Sequence, residues 1–191
     1  MANNDVVFEV EDNYQKQTYR NRMYVYGANG KLILNIPIKH SKSSTGHQKY
    51  KDVRIENNFP WQKQHWKSLE TAYRTSPFFE FYEDDLRPLF EEKQEWLMEF
   101  NFKTIEIVAD LLQFDVSAEK TTSYQKVCPA HQTDLRALVN AKQTLIEPFE
   151  PYTQVFDSKF GYLNDLSILD LLCNEGTNAL TYLRAQSIQK V

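Results

Sequence analysis

The sequence RMYVYGANGKLILNIPI, residues 22–38, decides the fold of this chain. Residues 22–26 alternate polar and apolar side chains, and residues 31–38 are rich in aliphatic ones, as β-strands are. The four residues between them include Asn29-Gly30, and Asn-Gly between two strand-like segments is the strongest short signal for a hairpin. We therefore predict a β-hairpin here, with Pro37 marking an edge position or the end of the second strand.

The remaining sequence adds short strands and several helices to this hairpin. Residues 61–75 show helical spacing of aromatic residues, with Pro60 at the start and Pro77 as the stop. Further strands are predicted over residues 6–10, 52–55 and 152–156, and further helices over residues 88–114, 133–143, 165–173 and 177–189. The pattern predicts a single domain over residues 1–191 of the α/β or α+β class, in which a mixed β-sheet from the N-terminal strands and hairpin packs against several helices.

Composition excludes several classes of protein. The chain has only five glycines and contains neither G-x-x-x-x-G-K nor G-x-G-x-x-G, which argues against a glycine-rich phosphate loop. Two cysteines without a C-x-x-C, and no H-E-x-x-H, indicate neither a metal site nor a cofactor. No apolar segment approaches the ~18–20 residues of a membrane span, and the N-terminus lacks the basic region of a signal peptide. These features predict a cytoplasmic protein.

Charge is distributed unevenly along the chain, although the net charge is only −4. Residues 13–55 hold nine basic residues and a single acid, whereas residues 80–119 hold twelve acids against three basic residues. Such segregation can attract anions to one region, or it can leave two solvated faces that attract each other. The acidic total and the lack of any nucleic-acid-binding motif argue against a nucleic-acid partner.

The segment NYQKQTYRNR, residues 13–22, is the best candidate for ligand binding. Arg20 and Arg22 offer guanidinium groups suited to carboxylate or phosphate, and Lys16 adds a point charge. The amides of Gln17 and Asn21 can bind hydroxyl groups. We expect an anionic or sugar-containing small molecule, such as a nucleotide sugar or an acyl donor; the alternative is an exposed basic connector between strands.

Histidine supplies the candidates for proton transfer. His65 lies on the helix predicted over residues 61–75, beside aromatic residues that include Tyr73, and is predicted to be the catalytic acid or base. Tyr73 is predicted to orient an acceptor. His40, where the second hairpin strand meets a polar loop, is a second candidate for contact with the ligand. The alternative for His65 is a hydrogen-bonded histidine of the core.

Several segments taken together resemble the WbqC-like family of bacterial proteins. They are NYQKQTYRNR, YGANGKLILNIPI, KDVRIENN, WQKQHWKSLETAYRTSPFFEFYED, YTQVF and LSILDLLCNEG. The positions that match the resemblance are Lys16, Gln17, Arg20, Asn21, Arg22, Asn29, Gly30, His65, Trp66, Tyr73, Ser76, Pro77, Asn174 and Glu175. One departure is at the N-terminus, because similar proteins begin with a segment containing a Tyr-Phe-Pro-like stretch and this chain is expected to lack that strand segment.

The resemblance implies a role in surface polysaccharide or glycoconjugate assembly, the context of O-antigen gene clusters. It implies a transferase that moves an acyl or aminoacyl group of the glycyl type to an amino sugar. In that hypothesis Arg20, Arg22 and Lys16 hold an anionic group, and His65 takes the proton from an attacking amine. Two alternatives stay open: a non-catalytic binding or assembly protein, which could form an oligomer, and a hydrolase or other sugar-modifying enzyme.

Overall fold

The computed structural model describes residues 6–39, 48–117, 119–142 and 149–186. The strands are β1 (Val7–Phe8), β2 (Arg22–Gly27), β3 (Gly30–Asn35) and β4 (Glu119–Lys120). The helices are α1 (Trp61–Tyr73), α2 (Phe79–Leu86), α3 (Pro88–Glu91), α4 (Leu97–Leu111), α5 (Asp157–Phe160), α6 (Ile168–Glu175) and α7 (Ala179–Ala185). Short 3₁₀ turns lie at Tyr50–Asp52, Arg136–Val139 and Gly176–Asn178. The predicted mixed class of helix and sheet is confirmed.

The predicted hairpin is present, with β2 and β3 paired antiparallel so that Gly27 lies opposite Gly30. Gly30 has a φ of 100°, which glycine adopts without the steric cost that a side chain would add. Alternation along the strands turns Val25 and Leu34 into the core, where they are 0% and 5% exposed. Arg22, Tyr24 and Asn35 lie on the opposite face, which we call the outer face of the hairpin. This face is covered at Tyr26, which is 0% exposed and donates through its hydroxyl to Phe156 O and Gly161 O.

Helix α1 covers the core face of the hairpin. Its buried residues recur at the spacing of one helical face, and they are Trp61, His65, Trp66, Leu69, Ala72 and Tyr73. All of them except His65 join a single hydrophobic cluster that also includes residues of the hairpin, α2, α3, α4 and α6. The helix begins directly after Pro60, as predicted, and ends two residues before the predicted end.

The helix predicted over residues 88–114 is wrong as one element. It is two helices, α3 and α4, separated by an extended segment over residues 92–96. The backbone of this segment pairs with the chain that precedes α1: Ile55 N donates to Glu95 O and Leu97 N donates to Val53 O, each at 2.9 Å. Pairing across forty residues replaces helical hydrogen bonds here, which a local pattern does not reveal. Helix α2 (Phe79–Leu86) was not predicted from the sequence.

Two further predictions are wrong for a similar reason. In the described part of the helix predicted over residues 133–143, the chain forms only a 3₁₀ turn at Arg136–Val139, because Tyr19 N donates to Val139 O and residue 18 bridges residue 140. Residues 152–156 form no strand; Gln154 uses its side chain to bind both the N–H and the C=O of Leu163. The short buried helix near residues 165–173 is confirmed as α6, and the helix expected over residues 177–189 is confirmed over Ala179–Ala185.

The sheets of the described chain are small. β1 pairs with β4 in parallel through two residue pairs, and β2 pairs with β3. Within the same residues, no helix combines the length and the apolar character that crossing a bilayer would require.

Gly176 gives a test of the packing between α2 and α6. It ends α6 with a φ of 55°, and a Cβ there would lie 2.6 Å from the ring of Phe78. Gly161 has a similar φ of 73°, but a Cβ would meet no atom within 4 Å. We expect Gly176→Ala to lower the free energy of unfolding by at least about 1 kcal/mol more than Gly161→Ala, measured by urea denaturation. Equal losses would show that the contact with Phe78 does not limit this position.

Candidate functional site

Arg20 is held in a buried ion pair at the start of the hairpin. Its Nη2 donates to Asp12 Oδ2 at 2.6 Å, and the two side chains are 9% and 10% exposed. Its guanidinium lies 4.6 Å from the centre of the Tyr50 ring. Asn101 of α4 donates to both Arg20 O and the hydroxyl of Tyr50, which fixes this arrangement against the helix.

The residues around Arg20 leave several buried polar atoms unsatisfied. Arg20 Nη1, Asp12 Oδ1, Asn21 Oδ1 and Arg22 Nε are buried and have no hydrogen-bond partner among the described residues. Nearly all buried polar groups in proteins are paired, so four such atoms within one short segment and its ion-pair partner call for an ordered water or a polar ligand group. We call Tyr14, Arg20, Asn21 and Arg22 the arginine cluster.

Tyr14 connects the two arginines of the cluster. Burial raises the pKa of its hydroxyl, while the positive charges of Arg22 and then Arg20 act in the opposite direction. Both guanidinium groups therefore lie close enough to act on one phenol. Arg22 opposes Asn35 in the hairpin register, so both belong to the outer face, where Asn35 is exposed.

Lys16 and Gln17 lie on the loop that precedes the cluster, and both are exposed. Gln17 has a φ of 62°, and its carbonyl accepts from Ala141 N at 3.2 Å. This loop therefore packs on the segment over residues 136–142. Neither side chain makes a hydrogen bond or ion pair within the described part of the chain that ties it to Arg20 or Arg22.

His65 lies beside the cluster but on the core side of the hairpin. Its Nε2 is 3.1 Å from Asn35 O, its ring packs edge-on against Trp61 at 5.1 Å, and the residue is 6% exposed. Burial lowers the pKa of the imidazole to about 4, although the contact with Asn35 opposes this shift. His65 therefore reaches the arginine cluster only through the backbone of Asn35, and its catalytic role stays a prediction.

Tyr73 is fully buried, in contrast to its predicted contact with an acceptor. Its hydroxyl donates to Asp170 Oδ1 at 2.8 Å and accepts from Tyr26 N at 3.1 Å. Burial, then the negative charge of Asp170, raises its pKa well above the usual value. In this structure Tyr73 joins α1, α6 and β2, and a ligand has no direct access to it.

Asp170 is a polar centre that the sequence reasoning missed. It is 0% exposed, and its Oδ2 accepts from Tyr152 at 2.7 Å and from Gln154 at 3.0 Å. Burial raises the pKa of its carboxyl, and the three donors lower it. The available signal was a lone acid inside the apolar segment LSILDLLC, because buried acids are rare unless they are hydrogen-bonded.

His40 falls outside the described residues. Among the residues that are described, no group of three or more His, Cys, Asp or Glu side chains is placed to hold a metal ion. The structure thus brings Arg20, Asn21 and Arg22 together, places His65 behind them, and separates Tyr73 from them.

The environment of His65 predicts a pH dependence of stability. Its pKa is about 4 in the fold against 6.5 for a free histidine, so the unfolded chain takes up the proton first as the pH falls. The stabilisation that the buried neutral imidazole gives the fold is complete above about pH 6.5 and is lost as the pH falls towards 4. The free energy of unfolding changes by up to about 3 kcal/mol over this range. We expect the unfolding free energy of His65→Asn to fall less steeply over this range than that of the wild type, measured by urea denaturation.

The exposed His131 provides a matched control for this experiment. His131→Asn should keep the pH dependence of the wild type. If all three proteins lose stability in parallel between pH 6.5 and 4, His65 is not enclosed in the way described.

Comparisons with known proteins identify the family of the chain. A model of the WbqC-like protein family matches residues 1–148. The uncharacterized protein Rv1507c of Mycobacterium tuberculosis is 24% identical over 196 residues, which cover 90% of this chain and 84% of that protein. No solved structure matches the chain. With more than half of its length matched, this chain belongs to the WbqC-like protein family.

Proposed function

We propose that this protein binds an anionic, sugar-containing small molecule at the arginine cluster and acts as a transferase in surface polysaccharide or glycoconjugate biosynthesis. The ligand is a nucleotide sugar or an activated acyl donor. The group transferred is an acyl or aminoacyl group of the glycyl type, and the acceptor is an amino sugar. The transferase part of this proposal rests on the sequence resemblance, and the binding part rests on the geometry of the cluster.

The observation that carries the binding proposal is the set of four unsatisfied buried atoms of Asp12, Arg20, Asn21 and Arg22. Arg20 is already neutralised by Asp12, whereas Arg22 makes no ion pair within the described residues. A phosphate or carboxylate placed against Arg22 would add a charge-assisted hydrogen bond, which is about twice as strong as a neutral one. Lys16, on the neighbouring loop, would add long-range attraction without a fixed contact.

In the transfer reaction, the amine of the acceptor attacks the carbonyl carbon of the donor, the bond to the leaving group breaks, and the amine loses a proton. His65 is the proposed acceptor of that proton, because a pKa of about 4 keeps the imidazole neutral at neutral pH. Asn35 O can only accept, so Nε2 carries the proton of the neutral imidazole and Nδ1 holds the free lone pair; the role therefore requires the ring to turn out of the core until Nδ1 meets the amine. Asn21 is proposed to orient the ligand through its unpaired Oδ1, and Tyr73 is proposed as a positioning residue that acts through Asp170 and β2.

The second candidate is a non-catalytic binding or assembly protein. The specific observation in its favour is that both His65 and Tyr73 are enclosed, with 6% and 0% exposure, whereas Arg22 on the outer face is partly exposed. Binding at the cluster needs neither residue. Incubation with acyl-CoA and glucosamine distinguishes the two candidates, because only a transferase would form an acylated amino sugar that mass spectrometry detects. Binding without product favours the second candidate, and light scattering would then show whether a stable oligomer forms.

Arg22 gives the sharpest test of the binding site. We expect Arg22→Gln to weaken binding of a nucleotide sugar or acetyl-CoA at least about tenfold in isothermal titration calorimetry, because one charge-assisted contact is worth about 1.5 kcal/mol or more. Arg20 is a poorer choice, since removing it leaves Asp12 buried without its partner.

Arg184 provides the control for this loss of charge, since it is exposed on α7. Arg184→Gln makes the same chemical change away from the hairpin and should leave the affinity unaltered. Equal dissociation constants for Arg22→Gln and the wild type would remove the arginine cluster as the anion site.

A further inference from the structure

A concave site lies beside the start of α1, away from the outer face of the hairpin. It is a hollow of about 540 Å³, within the range of small-molecule sites. Its walls come from separate parts of the chain: Lys39 beyond β3, residues 55–60 before α1, Gln62 of α1, and the extended segment with Lys93 and Glu95. The hollow exists because the helix predicted over residues 88–114 is interrupted, so that residues 92–96 run beside residues 53–55.

The charges around the hollow are balanced. Lys39 and Lys93 contribute two ammonium groups, and Glu56 and Glu95 contribute two carboxylates. Glu95 is paired with Arg54 at 3.0 Å, but neither lysine makes an ion pair within the described residues. Balanced charge does not select a strongly anionic ligand. It offers both hydrogen-bond donors and acceptors, which suits a ligand with many hydroxyl groups.

Two amide side chains of the wall, those of Asn57 and Gln62, are held in place by hydrogen bonds to other parts of the chain. Asn57 is rigidly held, because its Nδ2 donates to Gln94 O and its Oδ1 accepts from Trp61 Nε1. Gln62 uses its Nε2 on the carbonyls of Leu89 and Glu92, which leaves its Oε1 as an acceptor. Polar groups that are held by other parts of the fold need little ordering when a ligand binds.

Phe59 provides an apolar face at the rim. It is 64% exposed, although its carbonyl is fixed by Trp61 N at 2.8 Å. Its ring therefore stands in solvent on a constrained backbone at the mouth of a polar hollow. An exposed aromatic ring can pack against the C–H face of a pyranose while the polar wall binds the hydroxyl groups.

We infer that this hollow is a carbohydrate-binding site for a pyranose sugar. Phe59 packs on the sugar ring, and the lysine, glutamate and amide groups bind its hydroxyls. The site does not include the arginine cluster, since none of Tyr14, Arg20, Asn21 and Arg22 lines the hollow. The inference therefore holds or fails independently of anion binding at Arg22.

The test is ligand-observed NMR of the full chain with N-acetylglucosamine, a neutral sugar. We expect saturable binding that Phe59→Ala weakens about fivefold, because an aromatic contact is worth about 1 kcal/mol. Phe81, which is 74% exposed on α2, is the matched control, and Phe81→Ala should bind as the wild type does. Arg22→Gln should also keep sugar binding, which separates this site from the proposed anion site.

Two results would overturn the inference. One is that N-acetylglucosamine does not bind, or that it binds the wild type and Phe59→Ala with equal affinity. The other is that inorganic phosphate binds the wild type but not Lys39→Gln, while the sugar does not bind. That result would make the hollow an anion site.

Discussion

A buried carboxylate bound by three neutral donors holds the helices to the hairpin. Asp170 accepts hydrogen bonds from Tyr73, Tyr152 and Gln154, and it is 0% exposed. Tyr73 in turn accepts from the backbone of Tyr26 in β2. A buried charge without a cation is tolerated only when its lone pairs are satisfied, so these donors must all stay in place. The constraint fixes α1, α6 and the segment before α5 around one point.

This constraint explains which polar residues are structural and which are open to ligands. Tyr73 is committed to Asp170, and His65 is committed to the edge of β3 through Asn35. The core face of the hairpin is thereby closed. The outer face keeps Arg22, whose guanidinium is only partly satisfied. The fold thus keeps its free polar groups on the outer face and beside the start of α1, and this division supports separate anion and sugar sites.

Local sequence patterns predicted the elements whose hydrogen bonds are local. The hairpin follows from Asn29-Gly30 and alternating residues, and α1 follows from its helical spacing between prolines. The break between α3 and α4 was not predictable in this way. Residues 92–96 are extended because they pair with residues 53–55, which lie forty positions away. Nonlocal pairing overrides helix propensity where it satisfies the same backbone groups.

For the candidate site, the sequence by itself determined which chemical groups lie close together along the chain. It placed Arg20, Asn21 and Arg22 at the start of β2, and strand geometry keeps such near neighbours close together. Only the tertiary structure decided the environment of each group: it enclosed His65 and Tyr73, and it made Asp170 the centre of a network. Burial and hydrogen-bond partners depend on chain segments far apart in sequence, and these set whether a side chain can meet a ligand.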